Sequence, residues 1–112
     1  MFSVLDIAAS GLSAASARIA VTAGNIANLN TSGYQARRAN LTPVEPAGVR
    51  VDSVTLDETP AGIDEEGLET SNVDLVGETV NLIRDKHLYQ ANAKLLKTGD
   101  QMLGTLLDVL AR

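Results

Sequence analysis

Few residues in this chain have types and spacings suited to chemistry. His87 is the single imidazole. It stands beside Lys86 in a stretch of helical periodicity, where an exposed helical position is expected rather than a general base or a metal ligand. Asp64, Glu65 and Glu66 are three adjacent carboxylates that suggest a divalent cation. They lack the alternating Asp/Asn-x-Asp-x-Gly pattern that turns side chains toward a common centre, so a solvated acidic turn is expected instead. The chain has no Cys, and it shows no Gly-rich phosphate loop, His-x-x-x-His pair or serine nucleophile elbow. The expectation is therefore no enzyme, no cofactor and no metal.

Composition points the same way. The chain has 112 residues, 45% apolar but only 3% aromatic, so one small domain (1–112) must build its core from Leu, Val, Ile and Ala. A large enclosed substrate cavity does not fit that size. Nine basic and fourteen acidic residues give a net charge of −5, which argues against a nucleic-acid surface. No Lys or Arg precedes Arg18, so no positive n-region of a cleavable leader is seen. The uncharged run from Ile19 to Ala36 includes three Asn, two Gly, two Thr, a Ser and a Gln, and reads as too polar to span a bilayer.

The elements that must position the remaining polar residues are two long helices. In the first, Leu5, Leu12, Ile19 and Ile26 recur every seven residues, with Ala8, Ala15, Thr22 and Leu29 three positions after each. Ser3 with Asp6 resembles a capping box, and Asn28, Asn30, Ser32 and Gly33 favour a helix end, so the helix is placed at 3–28. The second runs over 75–111. Leu75, Leu82, Tyr89, Leu96, Leu103 and Leu110 form one seven-residue row; Leu88, Leu95, Met102 and Val109 form another, one residue earlier. Ser71, Asn72 and Asp74 are candidate N-caps, and Gly99 and Gly104 mark a bend or a close approach of another helix. Between the helices lie all three prolines and nine acids with no base from Arg50 to Arg84. Val49 and Val51, then Val54 and Leu56, alternate with polar residues but slip phase at Asp52/Ser53, which predicts two short strands or one bulged strand. Residues 29–73 thus read as a turn, short strands and an acidic loop.

Helices of such length exceed what the small middle region can cover, so an apolar stripe is left in need of a partner chain. The run Asn25-Ile26-Ala27-Asn28-Leu29-Asn30-Thr31-Ser32-Gly33-Tyr34 suffices structurally as a helix end and turn, because Asn bonds freed backbone groups. Its order of residues carries more. Together with Ser10-Gly11-Leu12-Ser13-Ala14 it resembles the N-terminal signature of the bacterial flagellar rod, hook and hook-associated axial proteins, roughly S-G-L-x-A then A-N-N-I-A-N-x-N-T-P-G-Y. At the far end Ser71-Asn72-Val73-Asp74-Leu75-Val76-Gly77-Glu78 and Tyr89-Gln90-Ala91-Asn92-Ala93-Lys94 are similar to that family's S-N-V-D-x-x-x-E…Y-x-A-N-x-K pattern. Gly24, Ser32 and Thr79 depart from it where Asn, Pro and Met are usual. The very short middle resembles the small proximal-rod members.

The resemblance implies a mainly α fold: two terminal helices packed as an antiparallel coiled-coil-like hairpin with a short β/loop middle. It also implies a structural subunit of the basal-body rod that assembles with itself and other axial proteins into a helical tube. Export through the flagellar type III apparatus without a cleaved signal peptide, a place in the periplasm-spanning rod, and no membrane-spanning segment belong to the same expectation. The residues expected at the assembly interface are Leu5, Leu12, Ile19, Ile26, Leu82, Tyr89, Asn92, Leu96 and Leu103. Those expected to fix the turn are Asn25, Asn28, Asn30, Thr31, Gly33 and Tyr34. Two rival readings are a small helical binding module or secretion-linked regulator holding a partner helix reversibly, and a metal-dependent enzyme built on the acidic middle.

Overall fold

A computed structural model describes residues 2–111. Helix α1 spans Phe2–Ala27, strands β1 and β2 span Arg37–Pro43 and Val49–Leu56, and helix α2 spans Leu75–Leu110. The helices agree with the heptad reading within a residue or two. The Ser3 side chain, offered above as a cap, lies outside the described part. At the far end of α1 the Asn28 side chain donates to Gly24 O at 2.8 Å, while the Asn28 N–H bonds Gly24 O and Asn25 O. An Asn thus closes the last turn, as its short amide allows. Helix α2 begins at Asp74, whose carboxylate accepts the Val76 N–H at 3.2 Å.

The strands form an antiparallel hairpin in which Asn40 pairs with Ser53 and Leu41 with Val51. Asp52 is the extra residue, a bulge at the place where the apolar alternation slips phase. The partner strand β1 gave no such signal, because Arg-Arg-Ala-Asn-Leu-Thr-Pro does not alternate. Its tip closes through Val44 N–H to Gly48 O, with Gly48 at φ +116 and a cis Glu45–Pro46 bond. The hairpin lies along α1, where the Val49 N–H donates to Ser10 Oγ at 3.2 Å. Helix α1 is therefore the middle layer, with α2 on one side and the hairpin on another, in a particle of 75 × 24 × 14 Å.

Among the described residues the buried apolar side chains are Ala8, Ala14, Ala15, Ala36 and Val73, and the largest fully buried side chain is Asn25. A core this thin leaves most Leu and Val residues half-buried or exposed. Two expectations change here. The apolar stretch lies earlier than the polar Ile19–Ala36 run: Val4–Ala27 is long and apolar enough to cross a membrane by length and composition, because Ala, Val, Leu and Ile dominate it. A hairpin with its chain ends level would set Leu5 against the last turns around Leu106 to Leu110; the antiparallel packing places it against Gly99 instead. The register is anchored at the other end of the pair, so the longer α2 overhangs the start of α1 by about two turns.

Candidate assembly interface

The helices meet through small and polar side chains. The methyl group that Gly99 lacks would sit 2.8 Å from Leu5 Cδ2, and the one that Gly11 lacks would sit 2.5 Å from Asn92 Oδ1. Further along, Arg18 Nε pairs with Asp85 Oδ1 at 3.2 Å and the Asn25 amide donates to Glu78 Oε1 at 3.2 Å. Steps of six or seven residues along α1 are met by steps of seven backward along α2, which is the seam of an antiparallel coiled-coil-like pair. The bulky rows are not sealed by this pairing: Leu5, Leu12, Ile19 and Ile26 are half-buried, as are Leu82, Asn92, Leu96 and Leu103, while Tyr89 is 42% exposed. The second row, Leu88, Leu95, Met102 and Val109, is exposed throughout.

Two carboxylates of α2 are buried: Glu78, the acid of the C-terminal motif, and Asp85, which no motif or row above includes. Asp85 Oδ2 has no hydrogen-bond partner among the described residues. It borders a polar cleft of about 220 Å³ lined by Arg18, Arg37, Arg38, Asn40 and Asn81, room enough for water to serve it. The signal that could have found Asp85 is its place in the seven-residue series Glu78, Asp85, Asn92 and Gly99.

The two end motifs converge at the open end of this seam. Asn25, 1% exposed, donates to Arg37 O at 2.9 Å and to Glu78, and its Oδ1 accepts from the Arg37 N–H at 2.9 Å and from the Tyr34 hydroxyl at 3.2 Å. One amide thus binds α1, the departing turn and α2. Asn72 repeats the device: its Oδ1 accepts the Ala36 N–H at 2.6 Å, its amide donates to Asp57 O and Thr59 O, and its N–H donates to Tyr34 O. Between them the Thr31 hydroxyl donates to Asn28 Oδ1 at 3.0 Å, and Gly33, at φ +73, gives its N–H to Glu69 O. A residue with a Cβ would be strained at that φ. Asn30 is exposed. Four of the six turn residues, Asn25, Asn28, Thr31 and Tyr34, therefore join one network, which Asn72 and Glu78 complete from the other end of the chain, while Gly33 ties the turn to Glu69.

The loop that follows is tied to the hairpin by Arg38 and Asp57, paired at 2.9 Å. Hydrogen bonds from Thr59, through its hydroxyl and its N–H, together with the Arg38 guanidinium lower the Asp57 carboxyl to about 2. His87 is exposed. Among the described residues no group of three His, Cys, Asp or Glu is placed to hold a metal. Interlocked amides, small-residue helix contacts and long exposed apolar rows can hold chains together.

Known proteins share this arrangement of end motifs. Residues 5–35 match the flagella basal body rod protein family, and residues 65–109 match the C-terminal region of flagellar basal body rod FlgEFG proteins. The chain is 32% identical to the flagellar basal-body rod protein FlgC of Yersinia enterocolitica, over 92% of each chain, and equally so to FlgC of Escherichia coli O157:H7. It is 52% identical to the flagellar hook protein FlgE of Escherichia coli K12 over 38% of its own length but 10% of that protein. Small residues on the helix seam, the Asn25–Glu78 junction between the end motifs and full-length similarity to FlgC agree: this chain belongs to the flagellar basal-body rod protein family.

Proposed function

We propose that the chain is a structural subunit of the flagellar basal-body rod, assembling with itself and other axial proteins through its terminal helices and catalysing nothing. The supporting observation is the mismatch between helix length and core. The helices run to 26 and 36 residues, yet among the described residues the buried apolar side chains are four alanines and one valine, and the bulky rows of the helices stay half-buried or exposed. Neighbouring copies that cover those rows by a repeated, non-closing contact form a filament. Leu5, Leu12, Ile19, Ile26, Leu82, Tyr89, Asn92, Leu96 and Leu103 are the proposed interface, and the Asn25–Tyr34 turn fixes the angle at which the hairpin leaves it.

Export through the flagellar type III apparatus and residence in the periplasm-spanning rod belong to the same reading. So does the absence of a membrane span: the apolar α1 carries Arg18 and Asn25 on the side that α2 covers, which favours a helix partner over lipid. The test is complementation of a strain lacking this gene, read by motility and by electron microscopy of basal bodies. Wild type restores rods, and Leu96→Ala folds but restores them poorly. Complete rods without the chain, or its presence only in the inner-membrane fraction, would overturn the reading.

A further inference from the structure

The outer face of α2 and the acidic loop have complementary chemistry. At about 100° per residue, Ile83, Lys86, Lys94 and Lys97 share one arc of roughly 80°, on the far side of α2 from Glu78, Asp85, Asn92 and Gly99. Val76 and Val80 extend the same face toward the helix start, and Val76, Val80 and Ile83 are 74, 49 and 52% exposed. The carboxylates of α2 before Gly99 are Glu78 and Asp85, both turned into the seam and buried. Among the described residues none of the three lysines forms an ion pair. The face is thus apolar at its beginning and carries Lys86, Lys94 and Lys97 after it.

The loop carries the opposite charge on a built scaffold. Asp64 Oδ1 accepts the N–H groups of Glu66 and Leu68, the Asp64 N–H donates to Leu68 O, and Gly67 turns the chain at φ +82. Thr70 closes the base by donating its N–H and its hydroxyl to Gly62 O. From this turn Ile63 and Leu68 stand 71 and 50% exposed beside Glu65, Glu66 and Glu69. The glutamates form no ion pair among the described residues. The knob lies at the Asp74 end of the particle, about 16 Å or more along α2 from the lysines of its own chain. A knob already folded loses little freedom on docking.

We infer that the acidic knob 62–70 of one copy docks on the Val76–Lys97 face of α2 of a second copy, with Ile63 and Leu68 on Val80 and Ile83, and Glu65 and Glu66 toward Lys94 and Lys97. Charge complementarity selects the occupant, because the partner surface that this basic face needs is carried by the same molecule. Between copies in the same orientation the two patches sit at different heights, so the contact is head-to-middle, does not close on two copies, and propagates along the long axis. The inference rests on the rod reading only in requiring adjacent copies. It adds an electrostatic contact to the apolar one along the seam.

Carbodiimide cross-linking of mixed ¹⁵N-labelled and unlabelled protein tests it, since that reagent joins only a carboxylate and an amine in direct contact. Intermolecular links from Glu65 or Glu66 to Lys94 or Lys97 are expected, and about 0.5 M salt should suppress them. Sedimentation supplies the second measurement. Glu65→Lys with Glu66→Lys, or Lys94→Glu with Lys97→Glu, weakens self-association on the order of tenfold, and the chain carrying all four recovers it. Asp64 is left intact because it holds the turn. Links confined within one chain, no recovery in the fourfold variant, or binding of the lysine face to anionic vesicles without self-association would overturn the inference. The rod reading fails separately, when wild type restores no rods whatever the charge variants do.

Discussion

Gly11 and Asn92 face each other so closely that a methyl group on Gly11 would lie 2.5 Å from Asn92 Oδ1 and 2.7 Å from Cγ. Asn92 is also held from behind, its amide donating to Leu88 O at 2.9 Å. The glycine of the N-terminal motif and the asparagine of the C-terminal motif are therefore two halves of one contact, which sets how near the helices come.

Three glycines on the helices separate steric need from propensity. Gly→Ala in a helix gains about 1 kcal/mol, and a clash in a packed seam costs about 1 to 3. Gly11→Ala should destabilise by about 1 to 2 kcal/mol, because Asn92 must give up its bond to move. Gly99→Ala meets the end of the flexible Leu5 side chain and should be near neutral, whereas Gly104, with nothing within 4 Å, should gain stability as Ala. Denaturant unfolding gives the order. The Gly11→Ala loss should also shrink in an Asn92→Ala background, and equal effects at all three positions would contradict the geometry.

Asn25 offers a sharper contrast. Replacement by Ala leaves the Arg37 backbone groups and the Glu78 carboxylate without their partner, which should cost about 3 kcal/mol. Asn30→Ala, on the exposed turn, should stay within about 0.5. Asn25→Asp preserves shape but places a carboxylate where Glu78 needs a donor, so its loss at neutral pH should lessen in acid. Melting curves of the three variants across pH decide it; a harmless Asn25→Ala would show that the network does not hold the junction.

These comparisons also show which parts of the molecule the sequence makes legible. Seven-residue rows reveal helices because a long periodic signal averages over many positions, and the slip at Asp52 reveals the bulge because one residue inverts the strand's faces. Leu12 and Ile19 were harder to place: periodicity tells which residues share a face but not which neighbour that face meets. Here the closest contact goes to Gly11 and Gly99, since only small residues let backbones approach. Strand β1 escaped notice because it lies at the surface, and an exposed strand needs no alternation. The Asn25–Glu78 bond spans 53 residues and emerged only as the proximity of two motifs.

Acid should loosen the hairpin–loop junction at a definite place. Asp57 titrates at about 2 in the folded chain against 3.8 for the free group, so its contribution is present above about pH 4 and is lost as pH falls through about 2. Carboxyl chemical shifts followed by NMR from pH 5 to about 1.5 should show Asp57 titrating with a midpoint at about 2. Asp57→Asn should abolish the accompanying shifts of Thr59 and Arg38. A midpoint near 3.8 would mean that the Thr59 and Arg38 contacts are not kept in solution.

The thin core predicts uneven stability along the chain. Helix α1 fully buries only alanines, Thr22, Asn25 and Gly11 among its described side chains, and an alanine returns little at about 25 cal/mol per Å². Its bulky row lies half-open, so α1 gains most of its apolar burial only when a neighbour covers Leu5, Leu12, Ile19 and Ile26. A helix with a weak packing partner is marginal in water. Residues 4–28 should therefore exchange amide hydrogens faster than residues 80–100 in dilute solution and become protected as concentration rises, with Asn25 and its neighbours protected first because the junction anchors that end. A loosely held α1 would also suit passage through a narrow export channel. Protection of residues 4–28 that equals that of α2 and ignores concentration would show that α1 is fully stabilised within one chain, and that its exposed row contributes nothing to folding on assembly.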